Sequence, residues 1–155
     1  MRFVRHRAAW ALLPVAVLSG CGLGGPDEYE LGESSVQAEV GEEFVLSAPV
    51  SLAMGENWYI TSPDPDSGVV RSTGTDEERG DDSGPQGASE GTYHFRFEAV
   101  GKGTTKIRLI QCPYTACTGG GDMGGPVVPS PVPSGSPTPD AEDRAKIHTY
   151  TVTVK

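Results

Sequence analysis

Past residue 20 the sequence holds no apolar run long enough to cross a bilayer as a helix, which takes about 20 residues. Basic residues are scarce as well. Arg2, Arg5 and Arg7 account for three of the 12 lysines and arginines, whereas all 21 aspartates and glutamates lie beyond residue 20. Without its first twenty residues the chain keeps nine basic residues against 21 acidic ones, a formal charge of −12. So acidic a surface argues against nucleic acid as a partner and against electrostatic adhesion to anionic lipid. Cysteine is limited to Cys21, Cys112 and Cys117. A zinc site would need further ligands at suitable spacing, and the later histidines, His94 and His148, do not supply them. Nucleophilic catalysis would need Ser or Cys beside a histidine and an orienting acid, yet both histidines fall within strand-like runs. No metal, cofactor or enzymatic activity is expected.

The N-terminus is built differently. A basic start precedes an apolar stretch over residues 8–17, followed by Leu18-Ser19-Gly20-Cys21. The stretch has the length of a secretory signal's hydrophobic region, and such a segment is set aside in reading the fold. Leu-Ser-Gly-Cys resembles the lipobox of bacterial lipoproteins, in which the cysteine thiol accepts a diacylglycerol bearing acyl chains such as palmitate. Residues 1–20 are therefore expected to be a signal peptide. Cys21 becomes the lipidated residue, and residues 21–33 form the anchor and a flexible tether. The expected location is the extracytoplasmic face of the cell membrane. In that oxidising setting Cys112 and Cys117 are expected to pair as a disulfide.

From Ser34 onward the pattern has period two, the mark of strands with one buried face. Val36, Ala38 and Val40 alternate with polar residues, as do Phe44, Leu46 and Ala48, with a turn at Gly41-Glu42. Trp58 and Ile60 continue the alternation, and Val69-Val70 mark a short strand. Residues 72–91 turn polar and read as a long exposed loop. Tyr93, Phe95, Phe97 and Ala99 then share one face, with His94, Arg96 and Glu98 on the other. Ile107 and Leu109 mark the next strand, and Tyr150, Val152 and Val154 mark the last. Residues 118–140, rich in Gly and Pro, read as a disordered or extended insertion, because proline cannot donate to a central sheet. The acidic groups at Asp64-Pro65-Asp66 and from Asp76 to Asp82 lack the ligand order of an EF-hand and read as solvated loops. Helical periodicity is absent, so the expected fold is all-β, an immunoglobulin-like sandwich of six to seven strands over residues 34–155.

The order of features supplies a resemblance. Val40-Gly41-Glu42 precedes the strand carrying Phe44 to Ala48, and Gly55 and Trp58 follow a loop. Gly87-Ala88-Ser89-Glu90-Gly91 leads into an aromatic strand that closes with Ala99 and Gly101, and Cys112-Pro113-Tyr114 follows the next strand. This order resembles the chagasin family of cysteine-peptidase inhibitors, which have an immunoglobulin-like fold. Three family loops, Asn-Pro-Thr-Thr-Gly, Gly-x-Gly-Gly and Arg-Pro-Trp, fall at these places. The first keeps its glycine as Gly55 but not its Asn-Pro-Thr-Thr. Glu90 stands for a glycine of the second. In the third, Cys112 replaces the arginine and Tyr114 the tryptophan.

The resemblance implies a wedge of three loops that fills the cleft of a papain-like cysteine peptidase without reacting. Carried over residue by residue, Met54 and Gly55 would approach the catalytic cysteine. Ser89, Glu90 and Gly91 would make the middle contact, and Pro113 and Tyr114 would press the primed-side wall. Two other readings stay open. A surface lipoprotein could use the same loops for another extracytoplasmic protein or ligand, or the chain could be a structural component of the envelope.

Overall fold

The period-two runs fold as strands because alternating side chains give each of them one apolar face, and those faces meet. The computed structural model describes residues 25–80, 90–119, 126–136, 138, 140 and 142–155. Among them the strands are β1 (Asp27–Tyr29), β2 (Ser35–Ala38), β3 (Glu43–Ser51), β4 (Asn57–Ile60), β5 (Val70–Arg79), β6 (Glu90–Ala99), β7 (Gly103–Cys112), β8 (Cys117–Thr118), β9 (Val128–Pro129) and β10 (Lys146–Val154). One four-stranded sheet has the order β1-β3-β6-β5, the other β2-β10-β7-β4, and β8 and β9 make a separate two-stranded sheet. The fold is an all-β sandwich, and the only helical turn among the described residues is the 3-10 turn Leu52–Met54.

The core lies between the two four-stranded sheets and takes the residues the alternation marks. Phe44, Leu46 and Ala48 share one sheet's inner face with Phe95, Phe97 and Ala99, while Ile107, Leu109, Tyr150 and Val152 come from the other sheet. Phe44 pairs directly with Phe97, their rings stacked at 5.5 Å between centroids. Burying each large apolar side chain of this kind contributes roughly 1.5–3 kcal/mol.

The structure departs from the sequence pattern in three places. The tether expected over residues 21–33 is shortened, because Asp27–Tyr29 pairs in parallel with β3. Tyr29 sets its ring edge-on to Phe44 at 6.3 Å and donates its hydroxyl to the Gln37 carbonyl at 3.0 Å. The free edge of β3 offers unpaired backbone groups that even a three-residue acidic segment can satisfy. The expected loop over residues 72–91 is mostly strand, since β5 pairs with β6 as far as Arg79↔Gly91. Beyond Val70 every β5 residue is exposed, so neither face alternates in polarity. The backbone ladder with β6 holds it, accompanied by cross-strand ion pairs of Arg96 with Asp76 and Arg71 with Glu98, each at 2.6 Å. Part of the insertion at 118–140 is also held, as described below. Residues 1–24, with the signal segment and Cys21, and residues 81–89, with Ser89, lie outside the described residues.

Register places the connections. Ser51 opposes Glu90, Arg79 opposes Gly91, Asn57 opposes Cys112 and Lys146 opposes Gln111. The β3–β4, β5–β6 and β7–β10 connections therefore leave the sandwich at one end. Asp27, opposite Phe44 near the start of β3, begins β1 at the other end.

Candidate functional site

The first loop leaves β3 at Ser51 and folds back at once. Leu52–Met54 makes the 3-10 turn, and Gly55 ends it with φ 63°, its N–H donating to the Leu52 carbonyl. That backbone region disfavours any residue with a Cβ. Glu56 braces the turn with both carboxylate oxygens. Oε2 accepts from the Ser51 N–H at 3.1 Å, and Oε1 accepts from the side-chain amide of Gln111 on β7. Asn57 donates to the Gly55 carbonyl at 3.3 Å and accepts from the Tyr93 hydroxyl at 3.4 Å. Burial, with a hydrogen bond to Glu77, pushes that phenol up to about 12. Trp58 is buried and donates Nε1 to the Pro49 carbonyl at 3.0 Å, which pins the exit of the loop to β3.

The second loop meets the first through Gly91. A Cβ there would sit 2.7 Å from the Glu78 carbonyl oxygen and 3.3 Å from the Leu52 side chain. Here close approach requires glycine. Glu90, exposed at the start of β6, opposes Ser51. Ser89 lies outside the described residues.

The third loop follows β7. Cys112 and Cys117 are joined in the expected disulfide. Between them Ala116 donates its N–H to the Pro113 carbonyl at 2.8 Å, and Thr115 takes φ 61°. Tyr114 stands at the tip, 76% exposed, and Met54 on the first loop is 69% exposed. No other large apolar side chain among the described residues is as exposed as either. A Cβ on Gly55 would lie 3.0 Å from Tyr114 Cδ2, so the two loops are in contact. The structure thus brings Met54, Gly55, Gly91, Pro113 and Tyr114 to one end on mutually packed loops. Two exposed apolar tips on a hydrogen-bonded frame suit the filling of a concave surface.

The sequence reading missed the wall beside the third loop. Val127 is buried against Ile110 and Cys112, and its carbonyl accepts from Thr61 Oγ1 at 2.7 Å. β9 then pairs with β8, and Ser130 donates its N–H to the Ala116 carbonyl and its hydroxyl to the Thr115 carbonyl. Two signals pointed to this docking: the Val127-Val128 doublet within the Gly/Pro tract, and Ile110, an apolar residue on the outward parity of β7.

Among the described residues, chemistry by nucleophilic attack finds no site. Gly87-Ala88-Ser89-Glu90-Gly91 has the Gly-x-Ser-x-Gly spelling of a nucleophile elbow, but such an elbow runs from strand to helix, whereas Glu90–Ala99 is a strand. Ser47 Oγ lies 3.1 Å from His94 Nδ1, and His94 Nε2 lies 3.3 Å from Glu78. Ser47 is nonetheless 5% exposed and its hydroxyl donates a hydrogen bond to the Glu28 carboxylate of β1, so this cluster seats β1 against β3. His148 packs against Trp58 with ring centroids 5.1 Å apart, and burial, with Lys146 nearby, lowers its pKa.

Known proteins resemble the chain in sequence and in fold. A family model described as "Chagasin family peptidase inhibitor I42" matches residues 37–114, a span that contains the first two loops and ends at Tyr114. The crystal structure of the cysteine protease inhibitor EhICP2 from Entamoeba histolytica superposes with a TM-score of 0.53 at 11% identity, over 83% of this chain and 95% of that one. The solution structure of amebosin does so with a TM-score of 0.52 at 15% identity, over 85% and 100%. At such identities the likeness speaks for the fold. Among curated proteins none matches the chain in sequence at a significant level.

Proposed function

The chain belongs to the chagasin family of peptidase inhibitors, and from that premise we propose that it blocks a papain-like cysteine peptidase outside the cell by wedging its three-loop end into the cleft. It is a binding protein, not an enzyme. The observation that carries the reading is the contact of Gly55 with Tyr114, which sets the exposed Met54 and Tyr114 on neighbouring braced loops. Met54 and Gly55 approach the catalytic cysteine, Ser89, Glu90 and Gly91 fill the middle of the cleft, and Pro113 and Tyr114 press its primed side. The first loop turns as a 3-10 segment closed by the Gly55 N–H, so its peptide bonds are not extended as a substrate's would be. It occupies the cleft without being laid out for cleavage. Because the first and third loops are tied before binding, little of their ordering entropy is lost on docking.

Lipid on Cys21 holds the domain at the membrane in this reading. β1 begins at the end opposite the loops, and β3 spans nine residues between the two ends, roughly 30 Å. An anchor at that end leaves the wedge facing away from the membrane. A second reading, in which the same loops bind another extracytoplasmic protein or ligand, is favoured by the remodelled third loop, where a half-cystine stands in the place of the family's arginine.

The test is inhibition of papain by the protein with Cys112 and Cys117 oxidised. A nanomolar inhibition constant supports the wedge. Absence of inhibition at about 100 μM, equivalent to binding weaker than about −5.5 kcal/mol, contradicts it for papain-type targets.

A further inference from the structure

We propose that residues 127–136 form a fourth contact element, a proline-framed wall that grips a surface segment of the same peptidase beside the primed side of its cleft. This rests on the wedge reading and extends it to residues beyond the family match, which ends at Tyr114.

The wall and the third loop line a groove of about 630 Å³, whose lining includes Met54 and Tyr114 together with Pro131, Val132 and Pro133. The two tips of the wedge thus belong to the groove as well, so a partner seated on the loops is also at the groove. That continuity identifies the occupant as part of the peptidase and not as a separate ligand. The wall is held at its start, where Val127 is buried on Ile110 beside the disulfide and Ser130 makes two hydrogen bonds to the third loop. Its far end is shaped by a turn in which the Ser136 N–H donates to the Pro133 carbonyl at 3.1 Å. Between these points Pro129, Pro131 and Pro133 fix φ at alternate positions, which removes much of the entropy a flexible insertion would lose on binding.

Val132, between two of those prolines, is 54% exposed. It lines the same groove as the exposed Met54 and Tyr114, and an apolar patch shared by three exposed side chains is what a docking partner covers. Glu142 and Asp143 line the same groove, with Arg144 between them and Ala145. The chemistry fits a segment carrying an apolar side chain, with a basic residue alongside to meet the acidic rim.

The experiment compares papain inhibition by the full chain, Val132→Asp, Glu142→Lys and Tyr114→Ala, each with its thermal melt. Val132 and Glu142 are exposed, so the melts are expected to match that of the parent protein. The proposal predicts that Val132→Asp weakens inhibition at least tenfold, chiefly by faster dissociation. Glu142→Lys is expected to slow association at low salt. Inhibition unchanged by Val132→Asp but weakened by Tyr114→Ala would overturn the fourth contact and leave the wedge standing. Absence of inhibition by the parent protein would overturn both.

Discussion

Tyr114 concentrates the proposed contact in one side chain. It is the most exposed large apolar residue described, and it stands on a turn tied by a disulfide and packed against Gly55. Aromatic anchors of this kind carry about 2 kcal/mol or more, so Tyr114→Ala is expected to weaken inhibition at least roughly 30-fold with little change in melting temperature. Gly55→Ala acts on two levels. The left-handed backbone costs a residue with a Cβ about 1–2 kcal/mol, and the new methyl, 3.0 Å from Tyr114 Cδ2, displaces the anchor. Both stability and inhibition should fall, which a melt and an inhibition assay read separately. His148 gives a pH prediction. Its folded pKa lies below the unfolded value, so the stability it contributes is present above that unfolded value and is lost as pH falls through the folded one. Replacing it in His148→Phe should flatten the decline in melting temperature from pH 7 to 5, relative to the parent protein. Gly55, Gly91, Pro113 and Tyr114 were legible because turn glycines and the Pro-aromatic pair persist in the sequence. Their mutual packing was not, since contact across loops leaves no periodic trace.

At the scale of elements, burial decides what the pattern reveals. Strands with one face in the core, such as β6 with Phe95, Phe97 and Ala99, write their alternation into the sequence. β1 and β5 are edge strands with little buried, so acidic residues occupy them freely and they read as tether and loop. The docked insertion is fixed by Val127 and a few hydrogen bonds within a Gly/Pro tract that otherwise reads as coil. The disulfide belongs to this scale too. It closes a loop too short to add more than about 2 kcal/mol, so its main effect is on the shape of the third loop. Reduction, or Cys112→Ser with Cys117→Ser, should therefore lower papain affinity by a larger factor than the modest fall in melting temperature suggests.

The whole molecule has two ends, which the proposed function uses differently. The chain rises from Asp27 at one end, and the three connecting loops gather at the other with the insertion beside them. If Cys21 carries lipid, Cys21→Ser should move the protein from the membrane fraction to the soluble fraction while its papain inhibition stays unchanged. The sandwich itself rests on contacts such as the stacked Phe44 and Phe97, and the wedge depends on that frame only for position. The central claim is that the loop end fills a papain-like cleft, and titration of papain with the oxidised protein beside Tyr114→Ala tests it most directly. The account predicts an inhibition constant near the nanomolar range for the parent protein and a loss of at least roughly 30-fold for the variant. Equal inhibition by both proteins, or none by either, would contradict it.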